Sequence, residues 1–243
     1  LFRSEKKEMI PYFQAKFSGF ITNELLRNII GQTKSSFQVD DIMNTGKILL
    51  INLSKGILGD LNSKLLGMIF VTKIQGAAMA RQKIDKELRK DFFFYMDEFQ
   101  NFVTDSIESI LSEARKYRLS LNVAHQYMSQ LEQSDALTKS SVNLKNAIFG
   151  NVGTMMSYKV GAEDAEKLEK EFAPNFSGSD LVNMDKFKGV MRLMIDGQVS
   201  RAFSLIPENI HLEKGDPKLV RTYKGHKDAV TSVAIHPDWY CSP

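Results

Sequence analysis

The sequence predicts an α/β protein whose sheet is mostly parallel, with helices on both faces and an antiparallel edge hairpin. Short apolar runs alternate along the chain with stretches of helical periodicity, a pattern typical of crossover connections. The runs at 92–96 (FFFYM) and 119–124 (LSLNVA) flank one such helical stretch. Near the end, 189–195 and 199–205 alternate around Asp196-Gly197, which indicates a hairpin.

The elements divide the chain into three segments. Residues 1–45 are interpreted as a helical lead-in, 46–206 as the α/β domain, and 207–243 as a linker with an irregular tail. The short apolar run 47–53 (KILLINL) predicts a buried strand, and 62–80, apolar almost all round, predicts a crossover helix packed on the sheet. The other predicted elements are helices at 105–114, 138–147 and 162–172 and a strand at 153–160.

Bulk composition excludes little. The 243 residues are 43% hydrophobic and 25% charged, which is ordinary for a globular protein. The net charge of +3 is too small to establish a nucleic-acid partner. The single cysteine, Cys241, cannot form an internal disulfide, and no apolar run reaches the roughly 18–20 residues that a bilayer crossing needs.

Polar side chains follow both central strands. Asp97 and Glu98 come directly after the run 92–96, and Gln126 follows the run 119–124 by one residue. Because parallel strands end at the same edge of a sheet, these three side chains are expected to meet. Such a set suits an Mg-nucleotide hydrolase: Asp97 would orient the water shell of Mg²⁺, Glu98 would polarise the attacking water, and Gln126 would touch the γ-phosphate. There are structural alternatives to these roles. Asp97 and Glu98 would then form a polar turn after a core strand, and Gln126 would be a helix-capping or surface amide.

Basic residues offer two further candidates. Arg115 lies at a predicted helix end, where the helix dipole alone favours a cation, but it also suits a finger that reaches a neighbouring subunit's nucleotide. The charged stretch 81–91 is compatible with a phosphate-backbone contact or with a solvated surface of mixed sign.

Other chemistries lack their patterns. The histidines are not spaced as metal ligands beside a cysteine pair, and no G-x-S-x-G nucleophile elbow occurs. The sequence also has no G-x-x-x-x-G-K-[ST] phosphate loop, since Gly46-Lys47 precedes an apolar run instead of following one.

Four stretches together resemble the HerA/FtsK-type ATPases, most closely the conjugative coupling proteins of type IV secretion (TraG/TraD-like). They are 47–59 (KILLINLSKGILG), 92–102 (FFFYMDEFQNF), 111–131 (LSEARKYRLSLNVAHQYMSQL) and 151–172 (NVGTMMSYKVGAEDAEKLEKEF). The resemblance implies a RecA-like fold in which Asp97 and Glu98 are the Walker B acids, Gln126 is the sensor and Arg115 acts across a hexamer interface. It further implies ATP and Mg²⁺ as cofactors and DNA as the translocated partner. The resemblance also implies secretion-channel proteins as partners. It implies a cytoplasmic position at the inner-membrane face, through an N-terminal anchor.

The sequence departs from that family in two places. The resemblance covers about 1–206, the later part of the motor domain, and the phosphate loop is absent, so the chain by itself is expected to be inactive. From about residue 218 the tail instead resembles the start of a WD-repeat blade, which cannot bury its own face without neighbours. A HerA-like DNA-processing helicase and a non-enzymatic scaffold fused to a WD-repeat propeller therefore remain alternatives.

Overall fold

The computed structural model describes residues 22–102, 105–131 and 144–207, together with the backbone of 232–235. Its α-helices are α1 (Glu24–Ile30), α2 (Val39–Thr45), α3 (Lys55–Leu58), α4 (Asp60–Ala80), α5 (Asp105–Glu113), α6 (Leu144–Asn151), α7 (Ala162–Phe172) and α8 (Gly178–Val182). Its strands are β1 (Phe92–Met96), β2 (Leu119–His125), β3 (Thr154–Ser157), β4 (Gly189–Arg192), β5 (Met194–Ile195), β6 (Gln198–Val199), β7 (Phe203–Leu205) and β8 (Ser232–Ile235).

The main sheet is mixed, with a parallel centre and an antiparallel edge. Its strand order is β1-β2-β8-β3-β4-β7. The pairs β1–β2, β2–β8 and β8–β3 are parallel, whereas β3–β4 and β4–β7 are antiparallel. The α/β class with an antiparallel edge, predicted from the sequence, is confirmed.

The edge hairpin closes where the sequence predicts it. Strands β5 and β6 pair antiparallel around Asp196 and Gly197, whose φ angles are 49° and 79°. Two successive positive φ values twist the turn in the sense that matches the strands, and Asp-Gly is a preferred pair for that conformation. The strands on either side continue outward as the β4–β7 pair.

The two faces of β1 differ in burial. Phe92 and Phe94 pack against the hydrophobic core that also contains residues of α4 and α5. On the opposite face, Phe93 is 53% exposed and Tyr95 is 72% exposed. No helix among the described residues therefore covers this face of β1.

The predicted strand at 47–53 is also wrong. The segment lies outside both sheets, and Ile48 and Leu50 are more than four-fifths exposed. Its ends are held near the two ends of β1, because Lys90 Nζ donates to the Thr45 carbonyl at 2.9 Å and Lys55 Nζ donates to Asn101 Oδ1 at 3.3 Å. An apolar run becomes a strand only with a ladder partner, and none is found among the described residues.

Helix α4 approaches the turn after β1 very closely. A Cβ atom built on Gly67 would lie 2.1 Å from Cδ1 of Phe102. Glycine is therefore needed here for space, although it is a poor helix former. This contact fixes the distance between α4 and the turn that carries the candidate site.

Arg81 is the largest fully buried side chain and joins three parts of the fold. Its guanidinium donates to the carbonyls of Met43 at 2.6 Å, Lys90 at 2.9 Å and Tyr117 at 2.9 Å. Desolvation by burial lowers its pKa from the ordinary value, with a further contribution from Arg89. This burial excludes a contact between Arg81 and a phosphate. The interpretation of the charged stretch 81–91 as a phosphate-backbone contact therefore does not hold for its first residue.

Four residues of the tail belong to the main sheet. Where the sequence predicts an irregular tail, β8 lies between β2 and β3, with Val233 paired to Val123 on one side and to Met155 on the other. The remainder of the WD-repeat-like segment lies outside the described residues.

Candidate functional site

The candidate site lies at the carboxyl edge of β1 and β2. The parallel register pairs Met96 with Val123, so the residues that follow the two strands emerge on one side of the sheet. Asp97 and Glu98 follow Met96 directly, and Gln126 follows the last residue of β2. Strand pairing thus brings together the three residues that the sequence places at this edge.

The turn after β1 holds Glu98 in a constrained backbone conformation. Its φ is 48°, a left-handed value that non-glycine residues adopt only when the surroundings hold them there. Asp97 Oδ1 accepts the Glu98 backbone N–H at 2.9 Å, and Asn101 donates to the Glu98 carbonyl through both its backbone and its side chain at 3.0 Å. Phe99, which is fully buried, anchors the turn in the core.

Both carboxylate oxygens of Glu98 accept a hydrogen bond from an amide. Gln126 Nε2 donates to Oε1 at 2.6 Å, and Gln100 Nε2 donates to Oε2 at 2.5 Å. Glu98 and Gln126 were singled out by their position after the strands, whereas Gln100 was missed. Only the conformation of the turn shows that Gln100 folds back onto Glu98.

The last residue of β2 and the turn that follows it are held by buried contacts. His125 is 2% exposed and stacks edge to face on Phe99 with 5.7 Å between ring centroids. Burial lowers the pKa of His125 to about 4, against a smaller opposing effect of the Tyr127 carbonyl at 3.3 Å from Nδ1. Asp164 Oδ2 accepts the Met128 N–H at 3.2 Å and so ties this turn to α7.

Arg115 lies far from the carboxylates in its own chain. It is exposed on the 3-10 helix Ala114–Tyr117, which precedes β2, whereas Gln126 follows that strand. Seven residues of strand span roughly 23 Å. Within a single chain, the structure does not bring Arg115 to Glu98.

Asp97 is the residue at this edge that suits a hydrated magnesium ion. Its side chain is exposed, and among the described residues the Glu98 N–H, which donates to Oδ1, is the only hydrogen-bond partner of the carboxylate. Mg²⁺ is commonly held by one or two carboxylates together with waters and substrate phosphates. No group of three or more His, Cys, Asp or Glu side chains that could hold a metal ion occurs in the part of the chain that the structure describes.

One family model matches the part of the chain that contains the candidate site. Residues 91–174 match the family model described as the TraM recognition site of TraD and TraG. The match spans β1 to α7 and therefore contains the whole candidate site. It supports a relationship to the conjugative coupling proteins. No curated protein matches this sequence significantly.

The length and apolar character of the described helices bear on whether any of them could cross a bilayer. Across residues 22–102, 105–131 and 144–207, no helix combines the length and the apolar character that a membrane crossing requires.

Proposed function

We propose that this chain is part of an ATP-driven DNA-translocating coupling protein of conjugation, with a RecA-like motor sheet. The supporting observation is the hydrogen bond between Gln126 and Glu98 at the carboxyl edge of two parallel strands. The match of residues 91–174 to a segment of TraD and TraG supports the same class of protein.

The proposed reaction is the attack of water on the γ-phosphate of ATP, which breaks the bond between the γ-phosphorus and the β,γ-bridging oxygen and releases ADP and phosphate. Glu98, held rigidly by its turn, orients and polarises the water. Gln126, which donates to Glu98, would contact the γ-phosphate. Asp97 would hold the hydrated Mg²⁺, which supplies positive charge next to the phosphate oxygens.

Two further elements of this mechanism do not lie at the edge formed by β1 and β2. One is a phosphate loop, whose G-x-x-x-x-G-K-[ST] pattern the sequence does not carry. The other is Arg115, which would act in trans: its exposed position at the opposite end of β2 is compatible with an interface to a neighbouring subunit, as in a hexameric ring. DNA would pass through such a ring.

The family match also supports one proposed partner, a protein of the relaxosome. TraM recognition is attributed to the matched segment of TraD and TraG, and we extend it here to binding of a relaxosome protein by the region 91–174. Contact with secretion-channel proteins at the cytoplasmic face of the inner membrane completes the proposed setting.

The proposal is tested by ATP turnover of the full-length protein in the presence of DNA. Glu98→Gln keeps the size of the side chain but removes its negative charge, and turnover is expected to fall about 100-fold or more. ATP binding should persist, because Glu98 acts on water and not on the nucleotide. Glu87→Gln, which changes an exposed acid on a 3-10 helix before β1, serves as the matched control. Unchanged turnover in Glu98→Gln would remove the proposed mechanism.

A further inference from the structure

Gln100 has an unusual hydrogen-bond balance. Its Nε2 donates to Glu98 Oε2 at 2.5 Å, while its Oε1 is buried and has no hydrogen-bond partner among the described residues. A buried acceptor that is left unpaired is unfavourable, and such atoms are rare in native proteins. The amide orientation is therefore selected by its donation to the carboxylate, since hydrogen bonds to charged groups are the stronger ones.

The two amides that contact Glu98 come from different parts of the fold. Gln126 follows β2, and Gln100 lies on the 3-10 helix Phe99–Phe102 that follows β1. With one amide on each oxygen, the carboxylate is restrained against both rotation and tilt. Gln126 alone would leave it free to pivot about a single hydrogen bond.

We propose that Gln100 is a positioning residue for Glu98, fixing the carboxylate in the orientation that the hydrolytic water requires. This inference rests on the proposed ATPase function. Gln100 does not touch substrate in this role; it acts through Glu98, and Asn101, its neighbour, holds the Glu98 carbonyl of the same turn.

The contact itself is tested without ATP. In this 243-residue chain with ¹⁵N-labelled glutamine, NMR follows the side-chain amide signals of wild type and Glu98→Ala. The signals of Gln100 and Gln126 should both shift in Glu98→Ala. The signal of Gln75, a half-buried glutamine on α4, should not move. A Gln100 signal unaffected by the loss of Glu98 overturns the proposal.

The catalytic use of the contact is tested by steady-state kinetics of the full-length protein. Gln100→Met removes the donor at similar volume, and kcat is expected to fall roughly ten-fold with KM for ATP and Tm unchanged. Gln75→Met should leave kcat and KM unaltered. An unchanged kcat, or kcat and KM altered together with Tm, overturns the positioning role. Absence of turnover in the wild type would instead overturn the ATPase function, while the amide shifts would still establish the contact.

Discussion

At the level of single residues, the candidate site is formed by side chains that directly follow strands β1 and β2. The meeting of Glu98 and Gln126 was predictable, because parallel strands of known order end at one edge. The role of Gln100 was not predictable, because its contact with Glu98 depends on a left-handed φ at Glu98. The sequence Asp-Glu does not predict this backbone conformation. The burial of Arg81 was likewise hidden in a charged stretch.

His125 should make stability depend on pH. Its pKa is about 4 in the folded chain, below the ordinary 6.5, so the unfolded chain binds the proton first as pH falls. The stabilisation is complete above about pH 6.5 and is lost as pH falls toward 4, in total about 3 kcal/mol.

Denaturant unfolding at pH 7.5 and 4.5 measures this effect. The free energy of unfolding of the wild type should decrease by about 2–3 kcal/mol more than that of His125→Asn, which cannot titrate in this range. Equal decreases in the two proteins would show that His125 is not buried in its neutral form.

At the level of secondary-structure elements, predictions succeeded where the local sequence pattern alone determines which face of the element is buried. Helix α7 has the predicted bounds, because Ala165, Leu168 and Phe172 form a buried stripe at helical spacing. The run 47–53 failed, since an apolar run does not reveal whether a partner strand is available. Strand β8 was missed for the converse reason: its place between β2 and β3 is decided by long-range pairing.

Helix α4 allows a matched test of the packing behind the site. Gly67→Ala would improve helix propensity, but its Cβ would clash with the ring of Phe102, so we expect a loss of about 1–3 kcal/mol. Gly76→Ala on the same helix has nothing within 4 Å of the new Cβ and should stabilise by about 0.5–1 kcal/mol.

Thermal or denaturant unfolding of the two variants decides the point. A stabilised Gly67→Ala protein would mean that Phe102 does not pack on α4 and that the turn carrying Glu98 is not held as described.

At the level of the whole molecule, the fold places one polar edge within the segment related to coupling proteins. The family match spans about a third of the chain and includes β1, β2 and both turns of the site. The mixed sheet was predictable from alternating strand and helix patterns, whereas contacts between subunits cannot be derived from the fold of one chain. The role proposed for Arg115 requires a second subunit, since Arg115 and Glu98 lie at opposite ends of the strands in one chain.

The most direct measurement is a double-mutant cycle of Glu98→Ala and Gln126→Ala, read as DNA-stimulated ATP turnover of the full-length protein. Because the two side chains act as one hydrogen-bonded unit, each single change should lower turnover about 100-fold, and the double change should be little worse than either. Losses that multiply independently, or variants that retain full turnover, would contradict the account.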